Sequence, residues 1–118
     1  HNPHILISMS QEAYENNIDS LRDGGLLLTD TDLVKRRKND ERHVSYSIPA
    51  TRMAEKLGNK MMANIVILGY LASLSDAVNA ESLRNAVEKS VPKGTEEKNL
   101  KAFEKGYKRG EKQKSGTG

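Results

Sequence analysis

The chain has 118 residues, a formal net charge of +3 and no cysteine, which suits one domain with a core. Without cysteine it has no disulfide and no thiolate ligand for an iron–sulfur cluster or a structural zinc. No apolar run reaches the roughly 18 residues that span a bilayer, and the first residues lack the order of a signal peptide. The sequence therefore predicts a cytoplasmic protein that does not enter a membrane.

The first part of the chain carries the pattern of an α/β fold. The apolar run at 4–9 predicts a buried strand, and apolar residues at helical spacing in 11–22, after the N-cap candidate Ser10, predict a helix. The apolar run at 26–29 predicts a second buried strand. Strand, helix and strand in this order form a βαβ unit, which brings parallel pairing and a right-handed crossover.

Two aspartates follow the second strand, at the edge where open α/β sheets usually bind ligands. Asp30 and Asp32, in the stretch Thr29–Asp32, could bind a divalent cation or the hydroxyls of a ribose. The alternative, which we favour, is that both carboxylates are solvated in a loop and cap the next segment of the chain.

A dense charge run lies at 35–42 and is too polar for a core. It predicts an exposed turn or a hairpin connection, and a solvated loop is a better interpretation of it than a phosphate site. The alternating run 43–48, ended by Pro49, predicts a strand with one face exposed to solvent.

The second half of the chain predicts helices. Glycine and proline positions divide it into a short helix at 51–57, an apolar helix at 59–77, a helix at about 80–91 and a last helix from about residue 95. Residues 110–118 lack apolar side chains and are expected to be disordered. We therefore expect a single α/β domain at 1–109, with a parallel-sheet sandwich flanked by helices and a helical C-terminal half.

Four positions in these helices call for close neighbours. The helix at 59–77 is apolar almost all round, which is typical of a core helix or of a helix that meets another subunit. An unpaired buried amide at Asn64 would cost about 1–3 kcal/mol, so a loop of the same chain or a neighbouring subunit should bind it. Gly69 costs about 1 kcal/mol relative to alanine, which indicates close approach of another backbone. Asn59, Asn64, Gly69 and Asn99 are therefore predicted at packing or subunit-interface positions.

No motif indicates catalysis. The histidines His1, His4 and His43 lack the spacing that places two on one helix face for a metal, and no phosphate loop, dinucleotide turn or nucleophile elbow is present. We therefore predict no catalytic, cofactor-binding or metal-binding residue on this chain. The basic stretch 98–118 is interpreted as a solvated helix end, and nucleic-acid binding is the weaker alternative because aromatic and basic residues do not alternate there.

The chain resembles the gamma subunit, or gamma domain, of the 2-oxoacid:ferredoxin oxidoreductases. This family oxidises pyruvate, 2-oxoglutarate or branched 2-oxoacids to acyl-CoA. Four segments carry the resemblance in the family's order: Ile5–Tyr14, Gly24–Val34, Asn59–Leu71 and Glu81–Tyr107. A complete gamma domain also has a preceding glycine-rich strand-to-helix turn and a Tyr-Gly and Arg-Gly-Gly motif. Neither occurs in this sequence, so the resemblance indicates the C-terminal part of a gamma domain.

The resemblance implies a non-catalytic subunit of a cytoplasmic, heteromeric complex. Partner subunits would hold thiamine diphosphate, magnesium and the iron–sulfur clusters, and ferredoxin and coenzyme A would meet the chain through the complex. The implied role is assembly, with a part in coenzyme A access, and a homodimer is an option for the isolated chain. The substrate stays open, since indolepyruvate-type relatives have a similar domain. The alternative function is a stand-alone α/β ligand-binding domain that uses Thr29–Asp32.

Overall fold

A computed structural model describes residues 4–38 and 40–115 of the chain. The backbone forms two compact units, one that ends at Pro49 and one that begins at Ala50. The assignment of a single domain to residues 1–109 stays a prediction.

The first unit is built on a three-stranded parallel sheet. Its strands are β1 (Ile5–Ser8), β2 (Leu26–Asp30) and β3 (Val44–Ile48), in the order β1-β2-β3. In the register, Leu27 of β2 lies opposite Leu6 of β1 and Ser45 of β3. The parallel pairing of β1 and β2 confirms the predicted βαβ unit and the α/β class.

Helix α1 (Gln11–Asn17) joins β1 to β2 and covers one face of the sheet. The Ser10 side chain caps it by accepting a hydrogen bond from the Ala13 backbone N at 3.1 Å. A core cluster on this face joins the helical segment to the sheet and contains Tyr14, Ile18, Leu21, Leu27, Val34 and the half-buried Leu6. Burial of these side chains holds the first unit together.

Helix α1 is shorter than the sequence predicts. The chain changes to a 3-10 turn at Ile18–Ser20, where polar side chains bind nearby backbone groups. Asn17 Nδ2 donates to the Ala13 carbonyl at 2.8 Å, and Ser20 Oγ donates to the Asn17 carbonyl at 2.8 Å. Such local bonds compete with a regular helix and end it early.

Of the two connections predicted before the third strand, an exposed turn or a hairpin, the hairpin is wrong. Strand β3 runs parallel to β2, so the segment 31–43 must cross from the carboxyl end of β2 to the amino end of β3. Within the described residues this segment has no helix or strand. Its charged side chains are exposed from Lys35 to Lys38, as expected for a loop.

The end of this connection is fixed by a buried histidine. The His43 side chain has no exposed surface, with Nδ1 at 2.8 Å from Asp40 Oδ2 and Nε2 at 3.2 Å from the Leu21 carbonyl oxygen. Burial raises the pKa of the Asp40 carboxyl, but hydrogen bonds from His43 and from the Arg42 backbone N outweigh it, so that pKa is lowered. Ionised Asp40 therefore stabilises the fold.

Replacing Asp40 by alanine should lower the free energy of unfolding at pH 7 by about 1–3 kcal/mol, since His43 loses a partner in a buried site. Because the folded-state pKa of Asp40 is lowered, its stabilisation is present above the unfolded-state pKa of about 3.9 and is lost as the pH falls through the folded-state value. Chemical unfolding between pH 7 and pH 3 should show that the difference in the free energy of unfolding between parent and variant becomes smaller as the pH falls. Asp23→Ala, at an exposed position, is the control. A difference between the parent and the Asp40→Ala chain that stays constant with pH would contradict stabilisation by ionised Asp40.

The second unit contains four helices within the described residues. They are α2 (Ala50–Lys56), α3 (Ala63–Leu74), α4 (Ala80–Ser90) and α5 (Glu96–Lys114), with a 3-10 turn at Lys60–Met62 before α3. The predicted apolar helix at 59–77 is thus shorter at both ends. The helical character of the C-terminal half is confirmed.

Helices α3 and α5 cross with their backbones in contact. A Cβ atom on Gly69 would lie 1.9 Å from the Phe103 carbonyl oxygen, and one on Gly106 would lie 1.8 Å from the Val66 carbonyl oxygen. Only glycine allows this approach at both positions. A cluster of apolar residues that includes Ala72, Val87 and Phe103 packs around the helices of this unit.

The chain is helical beyond the point where disorder is expected. Helix α5 continues to Lys114, because residues on its last turns contact α3. Gly110 packs against Ser73, and Lys114 Nζ donates to the Ser73 carbonyl at 3.0 Å. Tyr70 Oη also donates to the Gln113 side chain. The remainder of the expected disordered tail, residues 116–118, lies outside the described residues.

Candidate functional site

A cleft in the second unit brings together three of the four predicted interface positions, Asn59, Asn64 and Asn99. Its volume is about 460 Å³, which is within the range of small binding pockets. We call it the asparagine cleft. It is lined by Gly58, Asn59, Met61, Met62, Asn64, Ile65, Pro92, Thr95, Lys98 and Asn99.

Asn59 is positioned by the end of α2. Gly58 has a positive φ of 103°, which glycine adopts readily, and its N donates to the Glu55 carbonyl at 2.9 Å. The Asn59 side chain then caps the next turn, since its Oδ1 accepts from the Met61 N at 2.9 Å. The oxygen of the amide is therefore used, while its NH₂ group faces no partner among the described residues.

Asn99 and Asn64 reach the cleft from α5 and α3. Asn99 is 8% exposed, and its Nδ2 donates to the Thr95 carbonyl at 3.0 Å. Asn64 is exposed in the first turn of α3. Its side chain has no hydrogen bond to any residue within 4–38 or 40–115. Of the two partners that the sequence suggests for Asn64, a loop of the same chain is therefore not observed.

Gly69 lies outside the asparagine cleft. It is buried at the crossing of α3 and α5, against the backbone of Phe103. Its position is thus one of packing within the unit.

The cleft combines amides with apolar side chains and one cation. Met61 is 76% exposed at this site, whereas Met62 is 5% exposed. Lys98 is the one charged residue among those that line the cleft. Asparagine side chains both donate and accept hydrogen bonds, so they suit peptide groups or other amides. The lining has no carboxylate, histidine, cysteine or serine.

The cleft contains residues that sequence reasoning does not single out. Met61, Thr95 and Lys98 line it beside the predicted asparagines. The sequence favours Met61 as a gap-filling core residue, yet it precedes Asn64 by three residues and Ile65 by four. This spacing places side chains on one face of a helical segment, and it is the signal that could have found Met61.

The alternative ligand site at Thr29–Asp32 is used by the fold itself. Asp30 is fully buried, and its Oδ1 accepts from the backbone N atoms of Asp32 at 2.9 Å and Leu33 at 3.2 Å. This carboxylate therefore caps the turn after β2, in agreement with the capping role that the sequence favours. The prediction that both carboxylates are solvated is wrong for Asp30, because its side chain is buried. Ser8 and Thr29 are paired in the register, and their hydroxyls are buried without a hydrogen-bond partner among the described residues.

Two other kinds of site are absent from the part of the chain that the structure describes. Neither a helix suited to crossing a membrane nor a group of three or more His, Cys, Asp or Glu side chains placed to hold a metal ion occurs within 4–38 and 40–115.

Comparison with known proteins gives a consistent family. The model of the pyruvate ferredoxin/flavodoxin oxidoreductase family matches residues 1–109. A Methanocaldococcus jannaschii protein named 2-oxoglutarate synthase subunit KorC is 50% identical over 107 residues, which are 89% of this chain and 57% of that protein. The chain thus spans a little over half the length of this curated relative.

Two solved structures are similar in fold. The gamma subunit of a keto/oxoacid ferredoxin oxidoreductase from Geobacter sulfurreducens has a TM-score of 0.85 and 31% identity, over 91% of this chain and 63% of that one. A 2-oxoglutarate:ferredoxin oxidoreductase from Magnetococcus marinus, with 2-oxoglutarate, coenzyme A and succinyl-CoA bound, has a TM-score of 0.82 and 24% identity, over 96% of this chain and 20% of that one. With the family match over most of its length, the chain belongs to the pyruvate ferredoxin/flavodoxin oxidoreductase family.

Proposed function

We propose that the chain acts as a gamma-type subunit of a multi-subunit 2-oxoacid:ferredoxin oxidoreductase, with 2-oxoglutarate as the substrate. The observation that carries this proposal is the 50% identity to a 2-oxoglutarate synthase subunit, in a chain whose asparagine cleft is suited to recognition. In the proposed reaction the complex converts 2-oxoglutarate and coenzyme A to succinyl-CoA and carbon dioxide. Two electrons leave the substrate and reduce two molecules of ferredoxin.

The redox and decarboxylation cofactors are assigned to partner subunits. The chain contains no cysteine, so its donor set does not fit an iron–sulfur cluster. Among its described residues no group of three or more His, Cys, Asp or Glu side chains is placed to hold a metal ion, and the family resemblance assigns thiamine diphosphate and magnesium to partner subunits. Thiamine diphosphate, magnesium and iron–sulfur clusters are therefore proposed on other chains, and no catalytic residue is assigned here.

The asparagine cleft is proposed as a contact with a partner subunit. Asn64 is exposed and lacks a hydrogen bond to any described residue, and the apolar Met61 beside it is 76% exposed. A loop of a partner subunit would satisfy both, because its peptide groups bind the amides while its apolar side chains cover Met61. Lys98 favours an acidic residue on that loop. A homodimer through the same cleft is the alternative for the isolated chain.

Capture of the tagged chain from an anaerobic lysate of its own organism tests the proposal. We expect larger subunits to be retained, with the absorbance of iron–sulfur clusters and with thiamine diphosphate. The captured assembly should reduce ferredoxin when 2-oxoglutarate and coenzyme A are both added. Activity with pyruvate and not with 2-oxoglutarate would show that the proposed substrate is wrong. A colourless chain without partners would contradict the subunit role. Fractionation of the same cells should place the complex in the cytoplasm.

A further inference from the structure

The charged connection between β2 and β3, residues 31–43, is held in place by side chains of α1. Gln11 Nε2 donates to the Lys35 carbonyl at 3.1 Å, and the Lys35 N donates to Gln11 Oε1 at 2.6 Å. The buried Tyr14 accepts a hydrogen bond at its Oη from the Arg37 N at 2.7 Å. The backbone is therefore held on both sides of Arg36, although the segment has no regular structure.

The other end of the connection is fixed as well. The Gly24 N donates to the Arg42 carbonyl at 2.6 Å. The His43 ring lies between the Asp40 carboxylate and the Leu21 carbonyl, at 2.8 and 3.2 Å. A charged loop held at both ends loses less conformational entropy on binding than a free loop does.

Three of the cations on this loop, Lys35, Arg36 and Lys38, have no counterion among the described residues. Arg37 Nη1 lies 2.8 Å from Asp19 Oδ1, and this hydrogen bond, aided by charge attraction, lowers the pKa of the Asp19 carboxyl. Arg36 and Lys38, on either side of Arg37, have neither a hydrogen bond nor an ion pair with any residue that the structure describes. Their charge is therefore available to a ligand.

These side chains border a cleft of about 430 Å³ in the first unit, which we call the cationic cleft. Ser45 of β3 is half-buried in its lining, and its hydroxyl binds no residue in the described ranges. The volume is that of a pocket for one small molecule. The lining residues are Leu27, Arg36, Arg37, Lys38, Asp40 and Ser45.

The free groups of the cationic cleft are hydrogen-bond donors. A guanidinium at Arg36, an ammonium at Lys38 and a hydroxyl at Ser45 can all donate. The Asp40 carboxylate is already used, since its oxygens bind His43 and the Arg42 N. Donors that include two cations favour an oxyanion, and a planar guanidinium pairs well with two oxygens of a phosphate.

We propose that the cationic cleft binds the phosphate group of a small phosphorylated metabolite, held by Arg36, Lys38 and Ser45. This site lies in the first unit and is independent of the proposed subunit function. The sequence predicts only a solvated loop for the charge run at 35–42, and this proposal gives that run a binding role. A phosphomonoester or a diphosphate offers enough terminal oxygens for the three donors.

Calorimetric titration of the full chain with pyrophosphate at fixed low salt tests this site. We expect binding of one pyrophosphate per chain. The double variant Arg36→Gln with Lys38→Gln should weaken it about tenfold or more, because two charge-assisted bonds are lost. Ser45→Ala should weaken it by a smaller factor. Arg36 and Lys38 are exposed, and Ser45→Ala removes only a hydroxyl. The circular dichroism spectra of these variants should therefore match that of the parent chain.

The matched control removes two positive charges from an exposed part of α5, by Lys101→Gln with Lys105→Gln. This variant should bind pyrophosphate within about twofold of the parent chain, since its net charge alone changes. An equal loss of pyrophosphate affinity in both double variants would overturn the site in favour of a bulk charge effect. Absence of pyrophosphate binding by the parent chain would also overturn it. Tighter binding of an oligoglutamate peptide than of pyrophosphate would overturn it in favour of an acidic polypeptide.

Discussion

Replacing Gly69 by alanine is expected to destabilise the second unit by about 3 kcal/mol or more. The added Cβ would lie 1.9 Å from the carbonyl oxygen of Phe103, a contact that neither helix can relieve by a side-chain rotation. Helices α3 and α5 would have to separate along their whole crossing, which would open gaps around Val66 and Ala102. The helix propensity gained by alanine, about 1 kcal/mol, offsets only part of this loss. Denaturant unfolding followed by circular dichroism measures the change.

Gly94→Ala is the matched control for this substitution. Gly94 has φ at 95° and no neighbouring atom within 4 Å of an added Cβ, so its cost should be limited to the backbone conformation, about 1–2 kcal/mol. Gly106→Ala, with the Val66 carbonyl oxygen 1.8 Å from the added atom, should be as damaging as Gly69→Ala. A Gly69→Ala chain as stable as the parent would show that the two helices do not pack this closely.

Replacing Met61 by aspartate is expected to reduce retention of the partner subunits at least about tenfold in the lysate capture. Met61 is 76% exposed, so the change should leave the fold of the free chain intact. In the assembly, however, it would place a charge in a contact where an apolar side chain is covered, a loss of about 2 kcal/mol or more. Combination with Asn64→Ala should lower retention further, because the proposed amide bonds to the partner would be lost.

Leu33→Asp is the control, since it makes a similar chemical change at a position that is 47% exposed and lies in the first unit. It should retain the partners as the parent chain does. Equal retention by the Met61→Asp chain would remove the asparagine cleft from the subunit contact. The subunit role itself would then be tested only by the capture of partner subunits on the parent chain.

Much of the fold could be predicted from local patterns. The strands at 5–8 and 26–30 follow from short apolar runs, although the apolar residues of the first strand are half-buried rather than buried. The helix between them follows from its N-cap and its apolar spacing. The path from β2 to β3 could not be predicted this way. A connection made mostly of charged and polar residues gives no periodicity, and its course depends on distant side chains such as Gln11 and Tyr14.

The extent of α5 is also beyond local reasoning. Residues 110–114 have no apolar side chains, so composition predicts disorder. Their order comes from tertiary contacts, in which Gly110 packs on Ser73 and Lys114 binds its carbonyl oxygen. Such contacts between residues far apart in the chain leave no trace in a window of neighbouring residues.

The candidate site could be predicted in part. Apolar surroundings mark Asn64 as unusual, and the structure brings Asn59, Asn64 and Asn99 together in one cleft. The sequence could not show that Asn64 is exposed, because helical periodicity does not indicate which side of an almost wholly apolar helix is uncovered. Met61 escapes prediction for the same reason, and Lys98 is one of many lysines in a basic helix.

The measurement that tests the central claim most directly is ferredoxin reduction by the assembly captured on the tagged chain. We expect reduction that requires both 2-oxoglutarate and coenzyme A, by an assembly whose larger subunits carry iron–sulfur clusters and thiamine diphosphate. A chain recovered without such subunits, or an assembly that reduces no ferredoxin with any 2-oxoacid, would contradict the proposal that this chain is a gamma-type subunit of the oxidoreductase.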